Sequence, residues 1–257
     1  MKSLRVGIRF VLVGLLTMIH VLALLVAALV IFAFPRLRAR WRMLVFRSWS
    51  YSVLAVLGVK VDVEGKPPEP PFLMVTNHLS YVDIPVIGTQ VGAIFVAKSE
   101  ISSWPGVGFM CRSINTIFID RNVRRDLPRV MNAIDREMEH GMGVVLFAEG
   151  TSSGGATILP FRPSLLESAA RSDTPVSFAT LSYQTPKGEP PAHLAVCWWG
   201  GMDFSPHALQ LAQLRRVHAK IVFGDEQIHD VDRKQLARDL RSAMLEQFEP
   251  VVDEEEA

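Results

Sequence analysis

The chain has 257 residues, a length that suits one large domain or one domain with an appendage. Its 27 basic and 26 acidic side chains give a formal net charge of +1, which argues against nucleic acid as the main partner. The two cysteines, Cys111 and Cys197, lie far apart and the histidines lack ligand spacing, so the pattern predicts neither a disulfide framework nor a metal site.

An apolar segment dominates the N-terminus of a chain whose hydrophobic content is 49%. Residues Phe10 to Phe34 are nearly all apolar and would form a helix of about 37 Å, long enough to cross a hydrocarbon core with some tilt. A cleaved signal peptide fits less well, because the run is too long and arginines follow it. Basic residues stand on both sides of the run, so the sequence leaves open a spanning helix or one that enters a single leaflet and returns.

Arginine and aromatic residues are mixed with aliphatic ones from Trp41 to Val59, a composition typical of the lipid headgroup layer. Together with the apolar segment, this composition predicts a helical membrane anchor over residues 1–60. A proline-rich stretch from Lys66 to Pro71 then breaks regular structure, because proline has no amide donor. We therefore predict that residues 61–257 form the functional domain.

Strand and helix patterns alternate along this domain. Alternating or continuous apolar runs predict strands at Val59–Gly65, Phe72–Val75, Ala93–Lys98, Thr116–Ile119, Gly143–Ala148, Val176–Tyr183, Leu194–Trp199 and His218–Phe223. Apolar residues at helical spacing predict helices at Asp126–Glu139 and Val231–Phe248. The alternation predicts an α/β fold, a mixed sheet flanked by helices, with functional residues at the strand ends.

The most informative stretch follows the apolar run from Pro71 to Val75, which ends at Asn77-His78. A helix is predicted to start at Asp83, which could cap it, so the stretch is a strand, a turn and a helix start. Across such a turn the Asp83 carboxylate can fold back to the His78 imidazole, fix its tautomer and leave the other nitrogen free to take a proton. The alternative is a loop histidine with an ordinary hydrogen-bonded partner.

Two later stretches also place polar residues at predicted strand ends. Arg121 follows an apolar strand, and a guanidinium there matches phosphate or carboxylate groups in a bidentate manner. Arg124 and Arg125 are interpreted as a solvated helix start. The segment Val144–Gly155 runs from a buried strand into Glu149 and a loop of small residues that lets a ligand approach the backbone. An ordinary glycine-rich loop would show the same pattern there, and Val176–Tyr183 is interpreted as core without chemistry.

Four ordered blocks in this chain resemble the motifs of the lysophosphatidic acid acyltransferase family of glycerolipid acyltransferases. The resemblance covers about Phe72 to Tyr183 and rests on Asn77-His78-x4-Asp83, Ile117-Phe118-Ile119-Asp120-Arg121, Phe147-Ala148-Glu149-Gly150-Thr151 and Pro175-Val176. It implies transfer of a fatty acyl group from acyl-CoA or acyl carrier protein, without a cofactor, to the free hydroxyl of a lysophospholipid. The first candidate is lysophosphatidic acid, which would give phosphatidic acid.

The resemblance also implies roles for individual residues. His78 would be the general base and Asp83 its orienter, Arg121 would bind the acceptor's phosphate, and Glu149, Gly150 and Thr151 would shape the acceptor site. Amides in the turn after His78 are predicted to stabilise the oxyanion. The partner would be a membrane lipid, and the enzyme would work on the cytoplasmic face of the bacterial inner membrane.

The chain departs from the family's Phe-Pro-Glu-Gly-Thr-Arg block at two positions, with Ala148 for the proline and Ser152 for the arginine. The lost arginine removes a candidate phosphate ligand, so either Arg121, Arg124 or Arg162 compensates or the acceptor has another head group. The Glu149–Arg162 run and the later Trp198-Trp199 pair resemble a bacterial branch that includes lyso-ornithine lipid acyltransferases, the second interpretation. Two hypotheses from different classes are a hydrolase that uses Ser80 as its nucleophile and a purely structural membrane protein.

Overall fold

The computed structural model describes residues 2–31, 33–104, 107–120, 123 and 126–253. Its helices are α1 (Lys2–Val30), α2 (Pro35–Leu57), α3 (Asp83–Gln90), α4 (Val107–Ser113), α5 (Asp126–Glu139), α6 (Glu167–Arg171), α7 (Ala192–Ala195), α8 (Phe204–Gln213) and α9 (Arg233–Gln247). Its strands are β1 (Val59–Glu64), β2 (Phe72–Thr76), β3 (Ala93–Lys98), β4 (Ile117–Ile119), β5 (Gly143–Leu146), β6 (Val176–Gln184) and β7 (Val217–Phe223). Short 3-10 turns follow β3 and precede α6.

The described strands form one sheet in the order β1-β7-β6-β2-β5-β3-β4. Strands β2 to β6 run parallel to one another, whereas β7 is antiparallel to β6 and parallel to β1. The sheet is therefore mixed, which confirms the predicted fold class. Because β2 lies near the centre, both of its faces are buried, and its residues form a continuous apolar run from Phe72 to Val75.

Helices cover both faces of the sheet. Met74 of β2 faces a core shared with α1, α2, α3, α7 and α8, whereas Leu73 and Val75 face a second core built with α5, α6 and α9. Successive side chains of a strand point to opposite faces, so one strand contributes to both cores. Because β2 and β5 are parallel neighbours, their carboxyl ends lie side by side, and the functional residues are expected there.

The N-terminal region is a hairpin of two antiparallel helices, where the sequence predicted one apolar helix from Phe10 to Phe34. The Trp49 indole donates to Thr17 Oγ1 at 3.0 Å, and the Trp41 indole donates to the Ala23 carbonyl at 3.2 Å. Pro35 stands at the start of α2, a position where proline is tolerated because its missing amide would have no helical partner. By length and composition, Ser3–Ala27 of α1 could cross a membrane.

Two arginines attach the start of α1 to the end of α8. Arg9 is buried and donates to the carbonyls of Ala212 and Leu214, and Arg5 donates to the Gln213 carbonyl at 3.0 Å. Cations near a helix C-terminus satisfy carbonyls that lack a helical partner. The hairpin therefore shares the core of the domain, and the predicted division at residue 60 stays a prediction about chain organisation.

One predicted strand is wrong. Leu194–Trp199 is not extended, because Ala192–Ala195 forms a single helical turn and the chain then continues without regular structure. Its apolar residues Ala195, Val196 and Cys197 are fully buried all the same. Apolar content alone does not distinguish a buried irregular segment from a short strand.

Candidate active site

The site is built at the carboxyl end of β2, where the chain leaves the sheet. The Asn77 side-chain amide donates to the Leu181 carbonyl at 2.9 Å, and its oxygen accepts the Leu181 amide at 2.7 Å. Asn77 thus uses both ends of its amide to pair with a backbone residue of the neighbouring β6. This double contact fixes the position from which the turn toward α3 departs.

The turn brings Asp83 back to His78, as the sequence predicted. Nδ1 of His78 lies 2.7 Å from Oδ2 of Asp83, and the carboxylate is fully buried. The same oxygen accepts the amides of Leu79 at 2.7 Å and Ser80 at 2.9 Å. Because the carboxylate only accepts, it holds the proton on Nδ1 and leaves the lone pair on Nε2.

One prediction about this turn is wrong. Asp83 does not cap α3 with its side chain, because the carboxylate accepts amides that precede the helix, and the residue before α3 is Val82 without a side-chain cap. The amides of Leu79 and Ser80 already donate to Asp83 and are not available to an oxyanion, whereas the predicted role of the turn's other amides stays a prediction. The turn's backbone orients the carboxylate.

The His78 ring is held from one side and open on another. Phe147 stacks on it with ring centroids 4.0 Å apart and an interplanar angle of 25°. The side chain keeps 24% of its exposure, and in the described part of the chain Nε2 has no hydrogen-bond partner. A partly exposed imidazole with a free lone pair and a fixed tautomer is suited to accept a proton from a substrate.

Tyr183 is a part of the site that the sequence did not reveal. Its hydroxyl donates to Oδ1 of Asp83 at 2.7 Å, and the ring is almost fully buried at the end of β6. Burial, with the adjacent Asp83 carboxylate, raises the pKa of Tyr183 well above its ordinary value, so the hydroxyl stays a donor. The pattern of Val176–Tyr183 predicts core without chemistry, but a buried tyrosine needs a partner for its hydroxyl.

Glu149 lies beyond β5 and holds the backbone of the site. Oε1 accepts the His78 amide at 2.7 Å and Oε2 accepts the Leu159 amide at 2.9 Å, with the residue only 3% exposed. Burial raises the pKa of Glu149 to about 8, although the two amide hydrogen bonds oppose the shift. These contacts make Glu149 a positioning residue for His78, and its implied place in the acceptor site stays a prediction.

The small-residue loop after Glu149 folds onto the same turn. Gly150 has a φ of +74°, and a Cβ there would lie 2.5 Å from Nε of Arg162, so glycine is required on both grounds. The Ser153 amide donates to the His78 carbonyl at 3.0 Å, and Thr151 is exposed at the surface of the loop. The structure thus brings Glu149, and the loop that carries Gly150 and Thr151, to the backbone of His78.

Ser152, which stands where the family has arginine, makes a structural contact. Its hydroxyl donates to the Trp198 carbonyl, and the Trp198 amide donates to the Leu79 carbonyl at 2.8 Å. Trp198 also joins an aromatic cluster beside the turn. The cluster is centred on Phe204, whose ring centroid lies 5.2 Å from that of Tyr81, 5.2 Å from that of Trp104 and 6.0 Å from that of Trp198. This half-buried wall is suited to contact an apolar chain.

The predicted arginines at the end of β4 lie outside the described residues. These are Arg121, Arg124 and Arg125, and their roles stay predictions. Strand β4 is at the edge of the sheet, separated from β2 by β5 and β3. In the described region no three His, Cys, Asp or Glu side chains gather in a metal-binding arrangement.

The hydroxyl of Ser80, the nucleophile that a hydrolase would need, is occupied by a structural hydrogen bond. It is fully buried and donates to the Val196 carbonyl at 2.6 Å. The turn therefore brings together an imidazole and the carboxylate that orients it, without an accessible serine. Such a pair can activate a hydroxyl that the substrate itself brings.

Comparison with known proteins identifies the same region. The family model described as Acyltransferase matches residues 59–181. The lyso-ornithine lipid O-acyltransferase of Rhizobium meliloti is 32% identical over 75% of this chain and 70% of that protein, and the one of Pseudomonas aeruginosa is 30% identical over 77% and 76%. The 1-acyl-sn-glycerol-3-phosphate acyltransferase of Neisseria meningitidis is 34% identical, and the match covers 57% of this chain and 61% of that protein.

A solved structure shares the fold. The crystal structure of the 1-acyl-sn-glycerophosphate acyltransferase PlsC from Thermotoga maritima superposes with a TM-score of 0.66 over 96% of this chain and 98% of that chain, at 19% sequence identity. The coverage includes most of the N-terminal hairpin as well as the sheet.

Proposed function

The chain belongs to the acyltransferase family, as its motif blocks predicted, and we propose that it esterifies the free hydroxyl of lysophosphatidic acid to give phosphatidic acid. The observation that carries the proposal is the contact of 2.7 Å between His78 Nδ1 and Asp83 Oδ2 beside a free Nε2. Acyl-CoA or acyl carrier protein is the proposed acyl donor, and no cofactor is required because a thioester is already activated.

The reaction needs one base. Nε2 of His78 accepts the proton of the acceptor hydroxyl while its oxygen attacks the thioester carbonyl, and the buried Asp83 carboxylate stabilises the imidazolium that forms. The carbon–sulfur bond then breaks, and the proton passes from Nε2 to the departing thiolate. The products are an ester and a free thiol. A positioned base of this kind contributes about 10²–10⁴-fold to the rate.

The proposed ligands of the acceptor phosphate are arginines. Arg121 is the proposed ligand. Arg162 supports it, because its guanidinium lies against Gly150 in the loop that contacts the His78 backbone. A guanidinium binds phosphate in a planar, bidentate manner.

The second candidate acceptor is a lyso-ornithine lipid, which carries no phosphate. Two observations favour it. Ser152 replaces the family arginine and is occupied by the Trp198 carbonyl. The matches to proteins named lyso-ornithine lipid O-acyltransferase also extend further, over 75% and 77% of the chain against 57% for the Neisseria enzyme.

We further propose that α1 lies in the plane of the membrane surface. An apolar stripe is exposed along its entire length, formed by Leu4, Ile8, Val11, Leu15, Met18, Leu22, Leu25 and Leu29. Its opposite side packs on α2 and α8, so an upright α1 would draw the domain into the hydrocarbon. A helix with protein on one side and apolar residues on the other is suited to one leaflet's interface.

The proposed location is the cytoplasmic face of the bacterial inner membrane. The hairpin returns the chain to the side on which it began, with Arg5 and Arg9 at one end of α1 and the arginines of α2 beyond the other. Basic residues at both ends favour the cytoplasmic surface, and the proposed thioester donors are cytoplasmic molecules.

The test uses the full-length protein in mixed micelles with a radiolabelled acyl-CoA and either lysophosphatidic acid or lyso-ornithine lipid. We expect labelled diacyl lipid and one free thiol per ester formed, with lysophosphatidic acid as the better acceptor. A preference for lyso-ornithine lipid would replace the first acceptor by the second. Release of labelled fatty acid without diacyl lipid would contradict acyl transfer and support hydrolysis.

A further inference from the structure

A basic cavity lies under the turn of the N-terminal hairpin. It has a volume of about 620 Å³ and is lined by Arg36, Arg38, Arg40 and Arg42 of α2, together with His140 from the segment that leads into β5. This position is at the amino end of β5, whereas His78 follows the carboxyl end of the parallel β2. The cavity and the catalytic turn therefore lie at opposite ends of the parallel strands, and the cavity is not the acceptor site.

The positive charge in this cavity is only partly neutralised by the protein. In the described part of the chain, none of its four arginines forms a salt bridge. Nε of Arg42 is buried without a hydrogen-bond partner. Glu137 and Glu139 also line the cavity, and Glu137 already accepts a hydrogen bond from the side-chain amide of Asn115 at 2.6 Å. Four guanidinium groups and two carboxylates leave an excess of positive charge, which fits an anionic ligand.

An apolar groove begins beside the same two turns of α2. Its volume is about 610 Å³, and it runs between α1 and α2, lined by Ile19, Leu22, Val26, Val30, Leu37 and Trp41. Leu37 and Trp41 alternate in sequence with the arginines of the cavity, so the two sites share one stretch of helix. The Trp41 indole donates to the Ala23 carbonyl at the groove, as tryptophan does where apolar and polar layers meet.

We propose that the hairpin turn binds an anionic phospholipid of the bilayer, with its phosphate in the basic cavity and one acyl chain in the apolar groove. The adjacent groove distinguishes this ligand from free phosphate, which would use the cavity alone. The proposal rests on the proposed function only for its premise that the protein works at a membrane. Binding there would hold α1 at the level of the lipid headgroups and keep its exposed apolar stripe in the interface.

The first test is sedimentation with vesicles of phosphatidylcholine alone or with phosphatidylglycerol added. The full-length protein is expected to bind the anionic vesicles more tightly. Changing Arg38→Gln and Arg42→Gln together is expected to lower that affinity about fivefold for each arginine, since each basic residue near the surface contributes about 1 kcal/mol. Affinity for pure phosphatidylcholine is expected to change little.

Arg47→Gln is the matched control, because it removes the same charge from the same helix but not from the cavity. Its guanidinium carbon lies 5.9 Å from the centroid of the Tyr51 ring, away from the residues that line the cavity and the groove. The control is expected to keep most of the preference for anionic vesicles. The same loss per arginine in the control and in the double variant would indicate a diffuse surface charge and would overturn the site.

The second test is native mass spectrometry from a non-ionic detergent. One phosphatidylglycerol is expected on the wild-type chain, none on the Arg38→Gln, Arg42→Gln variant, and one again on the corresponding double lysine variant, which keeps the charge. Full displacement by inorganic phosphate would assign the cavity to free phosphate, and binding of an acidic carrier protein there would assign it to the donor. Either result would overturn the proposal. Unchanged kcat of the glutamine variant in detergent would show that acyl transfer stands independently of this site.

Discussion

The Tyr183 hydroxyl donates to Oδ1 of Asp83 at 2.7 Å, so the carboxylate that orients His78 is itself held at its other oxygen. We expect Tyr183→Phe to leave that buried oxygen without its donor, at a cost of about 1–3 kcal/mol in stability. A carboxylate with one donor fewer attracts the imidazolium proton more strongly. The acid limb of the pH profile of kcat should therefore move to higher pH, whereas the KM for the acyl donor should stay near that of the wild type.

The control for this effect is Tyr51→Phe, which removes a hydroxyl that donates to the Thr89 carbonyl at the other end of α3 from Asp83. It should leave the pH profile unchanged. A Tyr183→Phe enzyme that is less stable but has an unshifted profile would reduce Tyr183 to a structural residue.

Glu149→Gln tests the buried carboxyl beneath His78. Since burial raises the pKa of Glu149 to about 8, the folded protein keeps this proton over a range of pH where the unfolded chain releases it. The contribution of Glu149 to the free energy of unfolding is therefore largest at acidic pH and declines as the pH rises from about 4.5 to about 8. Glutamine does not titrate, and its side-chain NH2 group cannot accept the hydrogen bond from a backbone N–H that Oε1 or Oε2 accepts in the wild type. The variant should therefore be less stable by about 1–3 kcal/mol at acidic pH.

The measurement is denaturant unfolding of both proteins between pH 5 and pH 9. The stability difference between wild type and Glu149→Gln should shrink as the pH rises. A difference that stays constant or grows would contradict the titration of Glu149 in this range.

Ser152→Arg restores the residue that the family has at this position. We expect the new guanidinium to raise kcat/KM for lysophosphatidic acid relative to lyso-ornithine lipid, since phosphate offers a bidentate partner. Ser152→Ala is the control, because it also removes the hydrogen bond to the Trp198 carbonyl without adding a charge. If both variants change the two acceptors equally, position 152 does not select the head group.

The in-plane hairpin is tested by labelling single cysteines with a membrane-impermeant maleimide in a background lacking Cys111 and Cys197. The labels are placed at Ser3, Ala33 and Lys187, which are exposed in the structure at the start of α1, near the hairpin turn and on the domain. All three should react in inverted inner-membrane vesicles and none in right-side-out ones. Reaction of Ala33→Cys alone from the outer side would indicate a spanning hairpin, and that of Ser3→Cys a spanning α1.

The sheet and the contact between His78 and Asp83 could be predicted because both depend on residues that are close together in the sequence. The apolar run of β2 stops at Asn77-His78, and five residues separate His78 from Asp83, so one turn decides their contact. The cap predicted for Asp83 was wrong for a related reason. A carboxylate at a helix start can accept amides on either side of it, and here Leu79 and Ser80 are nearer than the helix's own amides.

The parts that sequence did not reveal depend on contacts between distant segments. Tyr183 lies 100 residues from Asp83, and its strand pattern reports burial without naming the hydroxyl's partner. The same holds for the buried Leu194–Trp199 segment, whose apolar residues pack without forming a strand. The pairing of α1 with α2 likewise rests on contacts such as that of Trp49 with Thr17, which composition does not encode.

The most direct test of the account is kcat for acyl transfer to lysophosphatidic acid by His78→Ala, measured beside Asp83→Asn and with thermal unfolding of each. A folded His78→Ala protein should lose about 10²–10⁴-fold or more in kcat, since it lacks the base. The Asp83→Asn enzyme should keep residual activity, because an imidazole without its carboxylate can still accept a proton. A folded His78→Ala enzyme with near-normal turnover would contradict base catalysis by His78.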